Sequence, residues 1–200
     1  ENRNFFQSFI KENVSILAGN FFEYEELFKK GDPLLLGEEA LNYVDLCLIT
    51  VGEKGLYLCG HTEKDVARKT KDQIHSKSIS EYNMYEYSRP MLKSCCNTPI
   101  KIYSHINPFM GGPSRIKNTN GAGDAALAAV LHDLVANDFH KAIIPNSPKH
   151  TNQYLTYSSI HQICKYANRV SYEVLNQNSP RLLKGLPVKE DCLEESYWDK

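Results

Sequence analysis

The 200 residues predict an α/β protein in which short buried strands alternate with helices. Two apolar runs, 14–18 and 44–50, lead directly into helix-start or turn chemistry. Asn20-Phe21-Phe22-Glu23 follows the first, and Thr50-Val51-Gly52-Glu53-Lys54-Gly55 ends the second. A glycine turn, Asn118-Thr119-Asn120-Gly121-Ala122-Gly123-Asp124, opens the Ala-rich run from Ala125 to Val135. The segment from Tyr157 to Asn176 places Ile160, Ile163, Cys164, Ala167, Val170 and Val174 on one helical face, a core stripe.

In chain order, Phe5 to Lys11 reads as a helix and Val14 to Ala18 as a strand. A helix from about Phe22 to Lys30 and a short one near Glu38 to Tyr43 come next, then strands at Val44 to Thr50 and Gly55 to Cys59. From about His61 to Pro99 the chain is polar and rich in Lys, Glu, Ser and Tyr, and it reads as an insertion. Its Tyr82, Tyr85 and Tyr87 suit packing or interface positions, with a base-stacking platform as the other use for such rings. Lys101 to Ile106 completes the strands, and Gly121 to Ala136 forms the helix behind the glycine turn.

A net charge of -1 and 42% hydrophobic residues describe a globular chain with no basic excess for nucleic acid. Apolar runs such as Ala125 to Leu131 fall short of the roughly 20 residues that span a bilayer, and Glu1-Asn2-Arg3-Asn4 does not read as a signal peptide. A cytoplasmic protein without membrane partners is expected. Cys47, Cys59, Cys95, Cys96, Cys164 and Cys192 show no C-x-x-C spacing, so reduced thiols are expected. Cys47, Cys59 and Cys164 lie in apolar patterns and read as core residues, while Cys95-Cys96 lies in a polar stretch. His105, His132, His150 and His161 share no i, i+4 pair, which favours surface or hydrogen-bonded histidines over a metal site.

The glycine turn carries the chemistry. Residues without bulky side chains let backbone N–H groups approach an anion, and a helix N-terminus adds partial positive charge. Gly121, Ala122 and Gly123 suit a phosphate cradle, and Asp124 beside it suits a base that accepts the proton of an attacking hydroxyl. The other reading is a plain turn whose Asp124 favours the start of a helix through its dipole. No Walker A pattern, G-x-x-x-x-G-K-[ST], occurs in the chain, so phosphate handling falls to backbone amides.

The turn resembles the D-T-x-G-A-G-D signature of the ribokinase-like family of carbohydrate and nucleoside kinases. Asn20-Phe21-Phe22-Glu23 resembles the family's N-x-x-E motif, and Thr50 to Gly55 its T-x-G-x-x-G nucleotide loop, in the family's order. The resemblance implies a three-layer α/β/α fold, ATP as co-substrate and Mg2+ organised by Glu23 and Asn20 through water. It also implies Asp124 as catalytic base, Gly121 to Gly123 as anion hole, and nucleotide contacts at Thr50, Gly52 and Gly55. Asn120, at the variable position, and Asn168, beside the adenine region, are further candidate nucleotide contacts. Asn118 stands where many members carry an Asp that helps bind K+, so it keeps an oxygen and loses the charge. Taken singly, N-x-x-E is also a common helix start, and T-x-G-x-x-G also an ordinary hairpin turn.

Longer stretches resemble the purine nucleoside kinases of that family: Tyr103-Ser104-His105-Ile106-Asn107-Pro108, Met110-Gly111-Gly112-Pro113, Cys164 to Tyr172, and Leu193 to Asp199. The implied reaction transfers the ATP γ-phosphate to the 5'-hydroxyl of inosine or guanosine. The family's N-terminal nucleoside-binding half and lid have no counterpart in these residues. The chain is therefore expected to be the C-terminal, nucleotide-binding portion, with the other half present in the same or a second chain and a homodimer compatible with it. The alternatives are another ribokinase-like kinase, for sugar or adenosine, and an inactive nucleotide-binding module.

Overall fold

The computed structural model describes residues 2–62, 87–90, 100–106, 115–143, 145 and 157–187. The elements are α1 (Asn2–Asn13), β1 (Ile16–Asn20), α2 (Phe21–Phe28), α3 (Pro33–Ala40), β2 (Leu46–Thr50), a 3-10 turn (Gly52–Lys54), β3 (Leu56–Thr62), β4 (Tyr87–Pro90), β5 (Ile100–Ile106), α4 (Ala122–Ile143) and α5 (Tyr157–Leu175). Among the described residues the strands form one five-stranded sheet in the order β1-β2-β3-β5-β4. β1 and β2 are parallel, whereas β3 is antiparallel to both β2 and β5. It follows that β1, β2 and β5 run in the same direction. Asn20, Thr50, Leu56 and Ile106 are successive register partners, so the carboxyl ends of these three strands share one edge.

Period-2 alternation divides the sheet between two cores. On one face Leu46, Leu48, Leu56, Leu58, Ile102 and Ile106 pack against Ala126, Ala129 and Val130 of α4 and against Ile160, Ile163, Cys164, Ala167 and Val170 of α5. On the other, Cys47, Ile49, Tyr57, Cys59 and Tyr103 meet Ile10, Tyr24, Phe28, Leu36 and Ala40 from α1, α2 and α3. Burying a Leu, Ile or Val in this way contributes about 1.5–3 kcal/mol. The result is the expected three-layer α/β/α arrangement, with the α5 stripe in the core as its spacing predicts. Close approach is bought with glycine: a Cβ at Gly37 would lie 2.6 Å from Cys59 Sγ, and one at Gly60 would lie 2.8 Å from Ile160 Cδ1.

Several boundaries differ from the sequence expectation. β1 starts at Ile16 because α1 runs to Asn13 and is followed by a further helical bond from the Val14 N–H to the Ile10 carbonyl, 2.9 Å. α2 stops at Phe28, where Lys29 takes a left-handed conformation (φ 56) and donates to the Glu25 carbonyl. α3 occupies 33–40, not 38–43. Asp32 caps it, accepting from the Leu34 N–H at 2.7 Å, and Pro33 presets the first helical φ. α4 continues past Ala136 to Ile143. Within the polar insertion, β3 extends to Thr62 and β4 pairs with β5, placing Tyr87 opposite His105. Tyr82, Tyr85, His150, Cys95, Cys96 and Cys192 lie outside the described residues.

Cys47, Cys59 and Cys164 are buried thiols, as their apolar surroundings predict. Among the described residues no helix is long and apolar enough to cross a membrane.

Candidate functional site

The first motif forms where β1 runs directly into α2. Asn20 has extended backbone (φ -87, ψ 167) and caps the helix: its Oδ1 accepts from the Glu23 N–H at 3.0 Å, while its own N–H donates to Glu23 Oε2 at 2.7 Å. This reciprocal pair satisfies two helix-end donors and holds the Glu23 carboxylate at the positive end of α2, exposed to solvent. Gly19 makes the approach possible, since a Cβ there would lie 2.8 Å from Glu23 Oε2. A hollow of about 690 Å³ beside the motif is lined by Asn2, Arg3, Phe6, Phe22, Glu26 and Leu27 together with Asn20 and Glu23. It does not reach the glycine turn or the Thr50 loop.

The second motif is the hairpin connection between β2 and β3. Val51 N–H donates to the Gly55 carbonyl at 2.8 Å, Lys54 N–H to Val51 at 3.0 Å and Gly55 N–H to Gly52 at 3.1 Å. Gly52 (φ 55) and Gly55 (φ 83) take conformations that side chains rarely adopt. Thr50 is the register partner of Asn20, so the first two motifs stand side by side on the carboxyl edge. At position 105 the sequence pattern suggests only a surface or hydrogen-bonded histidine. It is buried, stacks on Tyr57 at 4.3 Å, and hydrogen-bonds through Nε2 to the Lys54 carbonyl inside this loop at 2.9 Å. Its signal in sequence was faint: a polar residue in an otherwise strand-like run.

The glycine turn is anchored from α5. Lys117 and Asn118 N–H groups donate to the Leu175 carbonyl at 2.8 and 3.4 Å, and Asn118 Oδ1 accepts from the Asn120 N–H at 3.0 Å. Gly121 has φ 81, and a Cβ there would lie 2.2 Å from the Pro180 carbonyl oxygen, so the segment after α5 crosses directly over it. Ala125 N–H to Gly121 O, 2.9 Å, begins the intrahelical ladder of α4. The amides of Ala122, Gly123 and Asp124 thus lack intrahelical acceptors and carry the positive end of a 22-residue helix. Gly123 borders open space, and Asp124 lies exposed in the first turn.

The path of α5 relates this turn to the other two motifs. Ile160 lies over Gly60, at the end of β3 paired with the starts of β2 and β5. Cys164 Sγ reaches Leu56 and Ser104 carbonyls at 3.9 and 3.7 Å, nearer the opposite edge. The helix therefore advances toward the carboxyl edge, and Leu175, which holds Lys117 and Asn118, is about 16 Å farther along its axis. Asn20, Thr50 and the glycine turn belong to the same end of the sheet, where open α/β sheets bind ligands. Asn168, on α5 between these points, is only 5% exposed, which departs from the solvated helix rim that its type suggests.

Among the described residues no group of three or more His, Cys, Asp or Glu side chains could hold a metal ion. Glu23 offers one oxygen-donor carboxylate near the carboxyl edge. That donor set fits Mg2+ only as a site completed by water and phosphate oxygens, the usual Mg2+ arrangement. Asn118 Oδ1 accepts from the Asn120 amide and so shapes the turn, with a second lone pair left on the same oxygen. His132 Nδ1 lies 3.5 Å from Asp133 Oδ1, two turns along α4 from Asp124.

Over all 200 residues the chain is 56% identical to guanosine-inosine kinase of Escherichia coli strain K12, and equally to those of strains CFT073 (O6:H1) and O157:H7. The match occupies 46% of each relative, so the chain spans about half the length of the curated relatives it matches. No protein-family model matches. The crystal structure of a probable sugar kinase from Rhizobium etli CFN 42 superposes with a TM-score of 0.51 over 96% of this chain and 39% of that one, at 14% identity. The chain thus has a ribokinase-like α/β fold, and along its whole length its sequence is similar to guanosine-inosine kinase.

Proposed function

We propose that this chain is the C-terminal, ATP-binding and catalytic portion of a kinase that phosphorylates the 5'-hydroxyl of inosine or guanosine in the cytoplasm. The observation that carries the reading is 56% identity, sustained over every residue of the chain, to guanosine-inosine kinases. The grouping of the three phosphate-handling motifs at one sheet edge supports it.

In this reading Asp124 accepts the hydroxyl proton as the nucleoside oxygen attacks the γ-phosphorus in line. The N–H groups of Gly121, Ala122 and Gly123 take up the negative charge that develops on the transferring group. Thr50, Gly52 and Gly55 bind the nucleotide from the hairpin loop, with Asn120 and Asn168 as further contacts. Glu23, oriented by Asn20, holds Mg2+ through water; when bound, the ion neutralises phosphate charge.

The nucleoside pocket and its lid belong to the half beyond these residues, in the same or a second polypeptide. Exposed aromatic surface supports that partner: Phe5, Phe6 and Phe9 on α1 and Phe22 on α2 are 69%, 56%, 49% and 75% exposed beside β1, whose described strand neighbour is β2 alone. A homodimer has a candidate surface in the exposed stripe Leu131, Val135, Phe139 and Ile143 on α4.

The test combines intact mass with activity. The sample is weighed for a second polypeptide, supplied with the N-terminal half if that is missing, and assayed with ATP, Mg2+ and inosine. Inosine monophosphate is the expected product. A folded complete protein that phosphorylates a sugar or adenosine in preference reassigns the substrate, and one that only binds nucleotide overturns the kinase reading.

A further inference from the structure

We propose that His105 is a positioning residue for the nucleotide, holding the Thr50–Gly55 loop in its binding conformation by donating from Nε2 to the Lys54 carbonyl. The proposal rests on reading that hairpin connection as the nucleotide loop. The loop contains two residues in the left-handed region, Gly52 and Gly55, and glycine without a side chain has the most conformational freedom to lose on binding. Its other described hydrogen bonds are internal, joining Val51 to Gly55, Lys54 to Val51 and Gly55 to Gly52. These set the shape of the turn, and the Thr50–Leu56 pair closes it on β2 and β3, but none of these bonds reaches from the tip of the turn to a further strand.

The bond from His105 does. His105 lies on β5, one residue before Ile106 on the carboxyl edge, and it is the register partner of Tyr57, which follows the loop on β3. Its ring is fully buried and stacked on Tyr57, 4.3 Å between centroids and 21° from parallel. The stack fixes the plane of the imidazole, and Nε2 then meets the Lys54 carbonyl at 2.9 Å. A carbonyl oxygen only accepts, so the proton resides on Nε2. A rigid side chain from a neighbouring strand thus tethers the one exposed turn that carries both glycines. Pre-ordering the loop removes a cost that nucleotide binding otherwise bears.

The test uses the complete kinase, with ATP and nucleoside varied separately and thermal stability measured alongside. His105→Phe keeps a ring against Tyr57 and removes the donor; His105→Gln restores an amide donor near the Nε2 position. The expected result for His105→Phe is a KM for ATP raised about tenfold with the nucleoside KM unchanged, and recovery of most of that loss in His105→Gln. Equal rises in both KM values, or unchanged KM values with an apparent kcat that falls in step with lost folded protein, would mean a merely structural role and overturn the proposal. If His105→Phe does not fold, His105→Gln against His105→Asn decides. Asn is too short to place its amide at the Lys54 carbonyl, so a higher KM for ATP in Asn than in Gln supports the tether, and equal values overturn it. Gly55→Ala separates the two levels of inference. If it leaves the KM for ATP unchanged, the nucleotide-loop reading itself fails. If it raises that KM while His105→Phe does not, the reading stands and the tether is refuted.

Discussion

Replacing Gly121 with alanine, set against the same change at Gly123, tests how the glycine turn is built. Gly121 has φ 81, and its added Cβ would meet Pro180 O at 2.2 Å, Pro180 C at 3.0 Å and Pro180 Cβ at 3.1 Å. Left-handed backbone costs a residue with a side chain about 1–2 kcal/mol. The clash is with main chain, so the segment at Pro180 must move, and overpacking of this kind costs about 1–3 kcal/mol. Gly121→Ala is therefore expected to destabilise by about 2–5 kcal/mol.

Gly123 presents the opposite case. It lies inside the first turn of α4 with nothing within 4 Å of an added Cβ, and its φ is not positive. Alanine there removes unfolded-state freedom and is expected to stabilise by about 0.5–1 kcal/mol. Urea unfolding followed by circular dichroism measures both differences. Under the proposed function, Gly123→Ala also intrudes on the phosphate cradle, so turnover falls while stability rises. Equal stability changes at the two positions would refute the close approach of Pro180 to Gly121, and a Gly123→Ala enzyme with full turnover would remove that amide from the anion hole.

Asp124→Asn is expected to lower kcat by about a thousandfold or more with nucleotide affinity kept within a few-fold, and unchanged turnover rules out the base. Glu23→Gln preserves an acceptor for the Asn20 N–H, so stability is expected to change by less than about 0.5 kcal/mol while the Mg2+ dependence of activity shifts; a wild-type Mg2+ titration removes Glu23 from the metal site. Asn20→Ala, by contrast, is expected to cost about 1 kcal/mol through the lost cap, measurable by urea unfolding. The Cys59 thiol is held above its ordinary value of 9.0 by its contact with Cys47 and by burial. A raised folded value stabilises below the unfolded thiol value and loses that contribution as pH climbs above it, so Cys59→Ser is expected to flatten the fall in stability above pH 9.0. An unchanged pH profile in that variant would refute the coupling.

Local chemistry was legible in the residues themselves. Asn20 and Glu23 are three apart at the end of an apolar run, and they form the cap that this spacing suits. The α5 stripe at 160, 163, 164, 167 and 170 faces the sheet because helical periodicity leaves no other way to bury it. The apolar patterns around Cys47, Cys59 and Cys164 predicted their burial for the same reason. α3 starts five residues earlier than the pattern near Glu38 to Tyr43 suggests, although Asp32-Pro33 is a readable start signal. β4 could not be seen, since a four-residue strand in a polar segment owes its existence to the β5 edge it pairs with.

The sequence by itself determined most of the elements, the Asn20 helix start, the glycine positions and the chemistry available at each motif, because these depend on neighbours within a few residues. Only the tertiary structure decided that Asn20 and Thr50 are register partners and that α5 carries the glycine turn toward their edge. It alone set Pro180 over Gly121 and the buried His105 under Lys54. Those relations join residues far apart in the chain, and they are fixed by sheet register and by the packing of α4 and α5, which no local pattern encodes.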